Sequence, residues 1–402
     1  MKILVLSDDF PPLALGGAGI VAFNLAQGLQ GAGHEIFVIT AVGEREKEGW
    51  TEFEGLKIFR IYSHYHPRWR AYLSLYNFQT IPKIKKIIEE IGPEIVHAHN
   101  VHTYLSYYSL KIAGERTAAV FLTAHDTMLF HYGKLTADPN YRVSPWQQFK
   151  EFKFRYNPLR NIIIRHYLKY TDKIFAISGA IKKSLNQNGI CNVEVIHNGI
   201  DVEKWQEAGG RTEEFKKRHN LSGKKIVLFG GRLSALKGSE KIIQAMRIVV
   251  EKIPDAILLV AGKTDGYARQ MISLARDLNI EKNILFLGWL GRKNMQQAFF
   301  SCDVCVTPSI YLDGFNLFNI EAMASGKPVV GSCFGGAPEI IEDGITGYIV
   351  DPFNIKMLAE KIANLLKDKA KAQMMGQGGR ERVAKNFTLK QQMNKYLNFY
   401  KR

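Results

Sequence analysis

Cysteine is scarce in this chain: Cys191, Cys302, Cys305 and Cys333 are the only four among 402 residues. That is too few for a disulfide framework and fits a reducing compartment. Cys302 and Cys305 form a CxxC, yet they lie in an apolar, strand-like run with no second Cys/His pair at ligand spacing, so buried thiols are expected there, not a metal or redox pair. No run approaches the roughly 18 apolar residues that span a bilayer, and "ILVL" meets Asp8 and Asp9 too soon for a signal peptide. A cytosolic protein is the expectation. G-x-G-x-x-G spacing is missing after the first strand, and the next strand, "EIFVIT", ends without the acidic residue that would hold a ribose, which speaks against a dehydrogenase. Short-period repeats, low-complexity segments and nucleic-acid modules are also lacking.

What is present begins with charge. Fifty-four Lys and Arg against 38 Asp and Glu leave a net charge of +16, which implies an anionic partner. The charge is uneven. Between Lys57 and Ile88 no acidic residue occurs, while Lys57, Arg60, Arg68, Arg70, Lys83, Lys85 and Lys86 alternate with seven aromatics that include Trp69, Tyr72 and Phe78. A second such stretch, "YRVSPWQQFKEFKFRYNPLRNIIIRHYLKY" (141–170), holds seven basic residues and only Glu151. Such stretches fit an anionic membrane surface or the solvated face of helices over a core; nucleic acid ranks last. In the second stretch, the apolar spacing of "RNIIIRHYLKYTDKIFAIS" reads as a core-packing helix with Arg160, Arg165 and Lys169 on its wet side.

With 46% hydrophobic residues the chain can bury two or three domain cores. "KILVLS" reads as a strand, "GGAGIVAFNLAQGLQGAG" as a helix with Val21, Leu25 and Leu29 on one face, and "EIFVIT" as the next strand. This βαβ grammar recurs at "EIVHAHN", "AVFLTAHD", "KIFAISG" and "VEVIHNGID". It restarts after a polar stretch near 201–223 with "IVLFGGRLSALKG", "AILLVAGK", "ILFLGWL" and "VCVTPS". Two Rossmann-like domains follow from this pattern.

Polar groups collect where such strands end. "DGFNLFNIEAMASGKPVV" puts Asp313 on a loop and Glu321 about one turn into the following helix, whose free N–H groups at Asn316, Leu317 and Phe318 suit a phosphate. The alternative is an acidic helix start after a turn. "GGRLSALKG" places Arg232 and Lys237 five residues apart in one loop, where both reach a single diphosphate. Glu321 is then left for ribose hydroxyls and Asp313 for hexose hydroxyls, which describes a nucleotide-sugar site. Gly16 and Gly17 allow close backbone approach of an anion at a helix start, or serve packing alone.

In chain order, "AISGAIKKSL", "VIHNGID", "GGRLSALKG", "PSIYLDGFNLFNIEAMASGKPVVGS" and "GGAPEIIEDGITGYIV" resemble glycosyltransferase family 4, retaining enzymes of the GT-B fold, and the likeness extends over essentially the whole chain. The resemblance implies an α/β protein of two Rossmann-like domains facing each other across a cleft. Residues 1–201 would bind the acceptor and 202–385 the nucleotide-diphosphate sugar, with a helix in 386–402 ("FTLKQQMNKYLNFY") crossing back to the first domain. It matches Arg232 and Lys237 to diphosphate-binding cations, Gly16 and Gly17 to a loop facing the donor phosphates, and Glu321 to the ribose-binding glutamate of E-x7-E. Here that motif is D-x7-E, with Asp313 one methylene shorter than the usual residue and Asn316 where glycine is usual. His125 matches a histidine that contacts the donor sugar; His97 and His99 are weaker candidates.

The implied chemistry is hexosyl transfer to a saccharide or lipid-linked acceptor with retention. It proceeds without metal or cofactor, the nucleotide sugar being the co-substrate, and it serves cell-envelope polysaccharide. Peripheral contact with an anionic membrane and no nucleic-acid partner complete the expectation. A nucleotide-sugar epimerase or hydrolase on the same fold, or a non-catalytic carbohydrate-binding protein, are the alternatives.

Overall fold

A computed structural model describes residues 1–13, 16–136, 141–205, 211–231, 233–263 and 266–401. The chain divides into two compact units, residues 1–199 with 389–402, and residues 200–388. The division falls two residues before the boundary expected at Asp201, and the last helix, Leu389–Tyr400, is counted with the first unit.

The first unit is built on an eight-stranded sheet. Its strands are β1 (Lys2–Leu6), β2 (Glu35–Val42), β3 (Gly49–Phe53), β4 (Leu56–Tyr62), β5 (Ile95–Ala98), β6 (Ala119–Ala124), β7 (Lys173–Ala176) and β8 (Val193–Val195). Their spatial order is β3-β4-β2-β1-β5-β6-β7-β8, parallel except for the β3–β4 hairpin. β1 and β5 are neighbours with Leu6 opposite Ala98, so the chain order reverses between them. A crevice opens at such a switch point, beyond the carboxyl ends of the strands. The central strands are buried on both faces, which explains their unbroken apolar runs.

Helix Gly17–Gly31 covers one face through Val21, Ala22, Leu25, Ala26 and Leu29. Helix Leu389–Tyr400 packs beside it: a Cβ on Gly28 would lie 2.3 Å from Met393 Sδ, so a larger residue there would have to displace the Met393 side chain. Tyr396 and Tyr400 complete the same core with Phe121 and Phe175. The expected helix over "RNIIIRHYLKYTDKIFAIS" ends at Leu168, and "KIFA" is strand β7. Arg160, read as part of its wet face, is fully buried. It stands four and eight residues before Ile164 and Leu168, the helix's other buried residues, and so lies on the inward stripe, while Asn161 beside it donates to the Phe130 carbonyl at 2.7 Å.

The second unit has six parallel strands, β9 (Lys225–Gly230), β10 (Ala256–Ala261), β11 (Ile284–Gly288), β12 (Val304–Thr307), β13 (Val329–Ser332) and β14 (Gly347–Val350), ordered β11-β10-β9-β12-β13-β14. Its switch point lies between β9 and β12, where Leu228 pairs with Cys305. Cys302 and Cys305 are buried thiols with their sulfurs 3.5 Å apart. No helix among the described residues is long and apolar enough to cross a membrane.

Candidate functional site

The loops leaving β9 and β12 are stitched together by backbone. Ile310 N–H donates to the Leu236 carbonyl at 2.9 Å. Gly238 sits at φ +73°, and a Cβ there would lie 1.9 Å from the Pro308 carbonyl oxygen, so no other residue fits the contact. This closeness brings Lys237, from the first loop, onto Asp313, from the second.

The Oδ2 of Asp313 accepts from Lys237 Nζ at 2.6 Å, Ser309 Oγ at 3.0 Å and Asn316 Nδ2 at 3.2 Å. Both members of the ion pair are mostly buried, at 19% and 14% side-chain exposure, so solvent screens the pair less than it would a surface bridge. Burial alone would lower the Lys237 ammonium's pKa, but the Asp313 charge and hydrogen bond, with Tyr311, outweigh it and hold the group above its ordinary range. Asp313 is itself pinned through its main chain, because its carbonyl accepts from Gly336 N–H at 2.9 Å. Next to it, Gly335 at φ +71° leaves no room for a Cβ, which would fall 2.2 Å from that carbonyl oxygen.

Helix Leu317–Ala324 starts at Asn316, whose Oδ1 accepts the Phe318 N–H at 3.1 Å. This N–H, expected to be free for a phosphate, is therefore already taken. The Phe318 ring turns inward against Phe299, with centroids 4.8 Å apart. Glu321 lies one turn on, and its carboxylate has no hydrogen-bond partner among the described residues. Burial pushes its pKa up to about 8, against the nearby charge of Arg292. An acid kept without a partner in a half-buried place is poised to receive hydroxyl donors. Arg232 lies outside the described residues.

In the first unit, Gly16 precedes helix Gly17–Gly31 in extended conformation, with no side-chain cap and no acidic residue in the first turn. A Cβ on Gly16 would meet nothing nearer than Asp9 Oδ2 at 3.8 Å. The helix start thus presents its positive dipole end with the Asp9 carboxylate close by. Asp8, two residues past β1, ties it to the loop after β5, its carboxylate accepting N–H bonds from Thr103, Tyr104 and Leu105 at 2.7–2.8 Å.

His125 follows β6, and its Nε2 lies 2.9 Å from His99 Nδ1. Burial lowers the pKa of His125 to about 4, with Asp126 opposing and His102 reinforcing the shift. His99 is lowered further by burial and by its two histidine neighbours. Both rings are neutral near pH 7. His99 Nε2 is buried without a partner among the described residues. An orphaned acceptor is tolerated better than an orphaned donor, so the network assigns the shared proton to His99 Nδ1 and leaves His125 with its own proton on Nδ1. His97 takes no part in that pair. Its Nδ1 lies 2.5 Å from the Tyr400 hydroxyl and its Nε2 2.8 Å from Thr123 Oγ1.

Lys237, Asp313, Asn316, Phe318 and Glu321 thus collect at the switch point of the second sheet, while in the first unit Gly16 and Gly17 stand at a helix start and His125 at the end of β6. Ser309, Tyr311 and Gly335 were not singled out in sequence, since nothing in their local spacing announces a contact with residue 313 or 237. His99 was legible only as the second histidine of "HAHN".

Residues 15–204 match the family Glycosyltransferase Family 4, and residues 210–382 match Glycosyl transferases group 1. An uncharacterized glycosyltransferase of Methanocaldococcus jannaschii is 28% identical over 371 residues, 92% of this chain and 90% of that protein. N-acetyl-alpha-D-glucosaminyl L-malate synthase of Bacillus anthracis is 25% identical over 417 residues, covering 100% of this chain and 97% of its own. Among solved structures, sucrose-phosphate synthase from Thermosynechococcus elongatus aligns with a TM-score of 0.80 at 21% identity, over 100% of this chain and 98% of that one. Anabaena HepE in complex with UDP-glucose aligns with a TM-score of 0.77 at 18% identity, over 99% of both. The fold is GT-B and the protein is a glycosyltransferase. Within that class the chain belongs to glycosyltransferase family 4.

The close packing around Asp313 predicts that Gly335→Ala lowers stability by about 1–3 kcal/mol, the usual range for forcing a side chain into a left-handed, filled position. Urea unfolding measures it. A midpoint equal to wild type would show that the loop gives way without cost.

Proposed function

We propose that the protein moves a hexosyl group from a nucleotide-diphosphate sugar, held by the second unit, to a saccharide or lipid-linked acceptor taken by the first, with retention at the anomeric carbon. The observation that carries this reading is the convergence of Lys237, Asp313 and the start of helix Leu317–Ala324 at the β9/β12 switch point, with unpartnered Glu321 one turn further. Lys237 has three N–H donors and spends one on Asp313 and one on Tyr311, leaving one for the diphosphate. With Arg232 it stabilises the negative charge that develops on the departing diphosphate. Asp313, bound through Oδ2 by three donors, is held in place for the hexose hydroxyls. Glu321 takes the ribose hydroxyls, and neutral His125 donates from Nδ1 to the sugar. A protein nucleophile is not needed: the leaving phosphate accepts the acceptor's proton on the face from which it departs. Nor does the reading call for a cofactor beyond the nucleotide sugar.

A panel of nucleotide sugars scored by thermal stabilisation, followed by product NMR with the donor that binds, tests this reading. The expected product retains the donor's anomeric configuration, and Lys237→Ala weakens nucleoside-diphosphate binding by about 1.5–3 kcal/mol, one charge-assisted contact. An inverted product overturns the mechanism. Turnover that needs no acceptor favours a hydrolase or epimerase instead.

Glu321 makes a separate pH prediction. Its carboxyl is mostly protonated below pH about 8 in the free protein. Ribose hydroxyls favour the ionised form, which accepts both bonds, so the ligand lowers the pKa and binding releases a proton. Affinity for the nucleoside diphosphate is expected to rise with pH and level off above about 8. Glu321→Gln should lose that part of the rise. Superimposable pH profiles for the two proteins, measured by calorimetry, would remove Glu321 from the ribose.

We further propose that the first unit rests on an anionic membrane surface when the acceptor is lipid-linked. Helix Pro145–Phe152 turns Gln148 inward, bonded to Tyr132 N–H and the Phe130 carbonyl, and leaves Trp146 63% exposed. Helix Arg70–Leu73 buries Ala71 in the same small cluster as Tyr132, with Trp69 and Tyr72 left outside. Arg68 and Lys150 lie against the Trp69 and Trp146 rings, at 5.5 Å in each case. Cations beside exposed indoles match the charge and depth of a lipid headgroup region. Flotation with anionic liposomes is expected to fall with salt, and to drop further in a Trp69→Ser, Trp146→Ser double variant. Equal recovery on neutral and anionic liposomes, or none on either, would leave a soluble saccharide as the acceptor.

A further inference from the structure

Two arginines of the first unit carry charge that no described residue neutralises. Arg160 is fully buried. Its Nη2 donates to the Met128 carbonyl and its Nη1 to Asn161 Oδ1 at 3.2 Å, both neutral acceptors. Its Nε has no partner among the described residues. Arg70 is half-buried, and its Nη2 reaches only the weakly accepting Met128 Sδ at 3.6 Å. Its Nε is likewise buried and unpartnered among the described residues. Each guanidinium carbon lies 5.7 Å from the centroid of the Tyr132 ring, so two like charges flank one phenol. Neither meets a carboxylate at ion-pair distance among the described residues.

That arrangement is costly as it stands. Burial pushes the Arg160 guanidinium below its ordinary range, and Arg70 acts in the same direction while Tyr107, Tyr156 and Tyr132 oppose it. Buried polar groups without partners, and buried charges without opposite charges, both count against the folded state. Aromatic faces offset only part of that cost. Asp126, close to Tyr107, is turned to His102, 3.9 Å away. Beside the arginines is a small open pocket of about 10 Å³, room for about one water, lined by residues that include His102, Tyr107, His125, Asp126 and Met128. Tyr107 and Met128 belong to both: the Tyr107 hydroxyl donates to the Met128 carbonyl at 3.1 Å, and its ring lies 5.9 Å from the Arg160 guanidinium.

We infer that Arg70 and Arg160 form an anion subsite, and that the acceptor carries a phosphate or carboxylate which this subsite takes. The inference rests on the reading that the first unit receives the acceptor, and it names that acceptor's chemical class. Arg70 supplies the direct contacts, since it is the one open to solvent, and its planar fork matches either oxyanion. Arg160 is closed off by its neighbours and contributes its charge through a poorly screened interior. The pocket that holds His125 adjoins the subsite, so an anion there would place the rest of the acceptor beside the residue assigned to the donor sugar.

Calorimetry on the full chain tests this. The protein is first saturated with nucleoside diphosphate, so that an added anion cannot use the donor site. It is then titrated at constant ionic strength with inorganic phosphate, with succinate, and with glycerol as neutral control. Phosphate or succinate is expected to bind and glycerol not, and the stronger of the two anions indicates which group the acceptor bears. Arg70→Gln should weaken that binding about tenfold or more, as expected for loss of a charge-assisted contact, and Arg70→Lys should weaken it less. The affinity for nucleoside diphosphate should be unchanged in both. No anion binding by wild type, or equal binding by Arg70→Gln, overturns the subsite. If no nucleoside diphosphate binds, the donor reading has failed on its own. The nucleotide-free protein then still decides the subsite: anion binding lost in Arg70→Gln and kept in Lys237→Gln supports it, and the reverse overturns it.

Discussion

One oxygen organises the second unit's site. Oδ2 of Asp313 collects an ammonium, a hydroxyl and an amide, and these three groups come from two loops and a helix cap. Without a carboxylate at 313, the Lys237 ammonium would be largely buried and uncompensated, an arrangement that costs more than the pair contributes when intact. The pair therefore accounts less for stability than for position: it fixes where the β9 loop stands relative to the β12 loop. Asn316 extends this order into the helix, since the amide that donates to Asp313 also caps the Phe318 N–H. An Asp, shorter than Glu, suits this geometry because its carboxylate stays close to its own backbone, where Gly335 and Gly336 grip the carbonyl.

Much of this was legible before any coordinates. The strands announce themselves as apolar runs because parallel sheets covered on both faces need them, and the polar residues just beyond each run mark the ligand edge. Asp313, Glu321 and Lys237 could be assigned to loops and a helix start by that logic alone. Their pairing could not. Lys237 and Asp313 are 76 positions apart, and nothing local says that this cation pairs with that carboxylate. Asn316 at a helix start was readable as a cap, but its bond takes the very N–H that the bare helix pattern offers to phosphate. Arg160 misled for a physical reason. A helix with basic residues four and five apart usually wets them, but Arg160 shares the buried stripe of Ile164 and Leu168, where the neutral acceptors on Met128 and Asn161 receive it.

The last helix shows how remote sequence reaches the first sheet's ligand edge. Tyr400 can donate to His97 Nδ1, which puts the ring proton on Nε2 and aims it at Thr123 Oγ1; Thr123 in turn lies 3.1 Å from the Tyr396 hydroxyl. The chain of bonds is satisfied only with His97 neutral, and burial holds its pKa near about 3. The His97 ring packs on His99, with centroids 4.4 Å apart, and His99 sets the proton of His125. Residues about 270 to 300 positions downstream thus help to fix the ring that props His99. None of this depends on a titrating group, because every imidazole in the series is kept neutral by burial.

The two units handle positive charge in opposite ways. In the second, Lys237 is compensated in advance by Asp313, so its attraction for an anion is moderated and its position is fixed. In the first, Arg70 and Arg160 meet no carboxylate among the described residues and crowd a single aromatic ring. A preformed ion pair lowers the free energy gained from a phosphate but sharpens where that phosphate sits, because the ammonium cannot follow it. Unpaired guanidiniums do the reverse: they store a desolvation cost in the empty protein that an incoming oxyanion relieves. A transferase needs the first behaviour where a bond must break at a defined atom. It can use the second where a partner has only to be attracted and held.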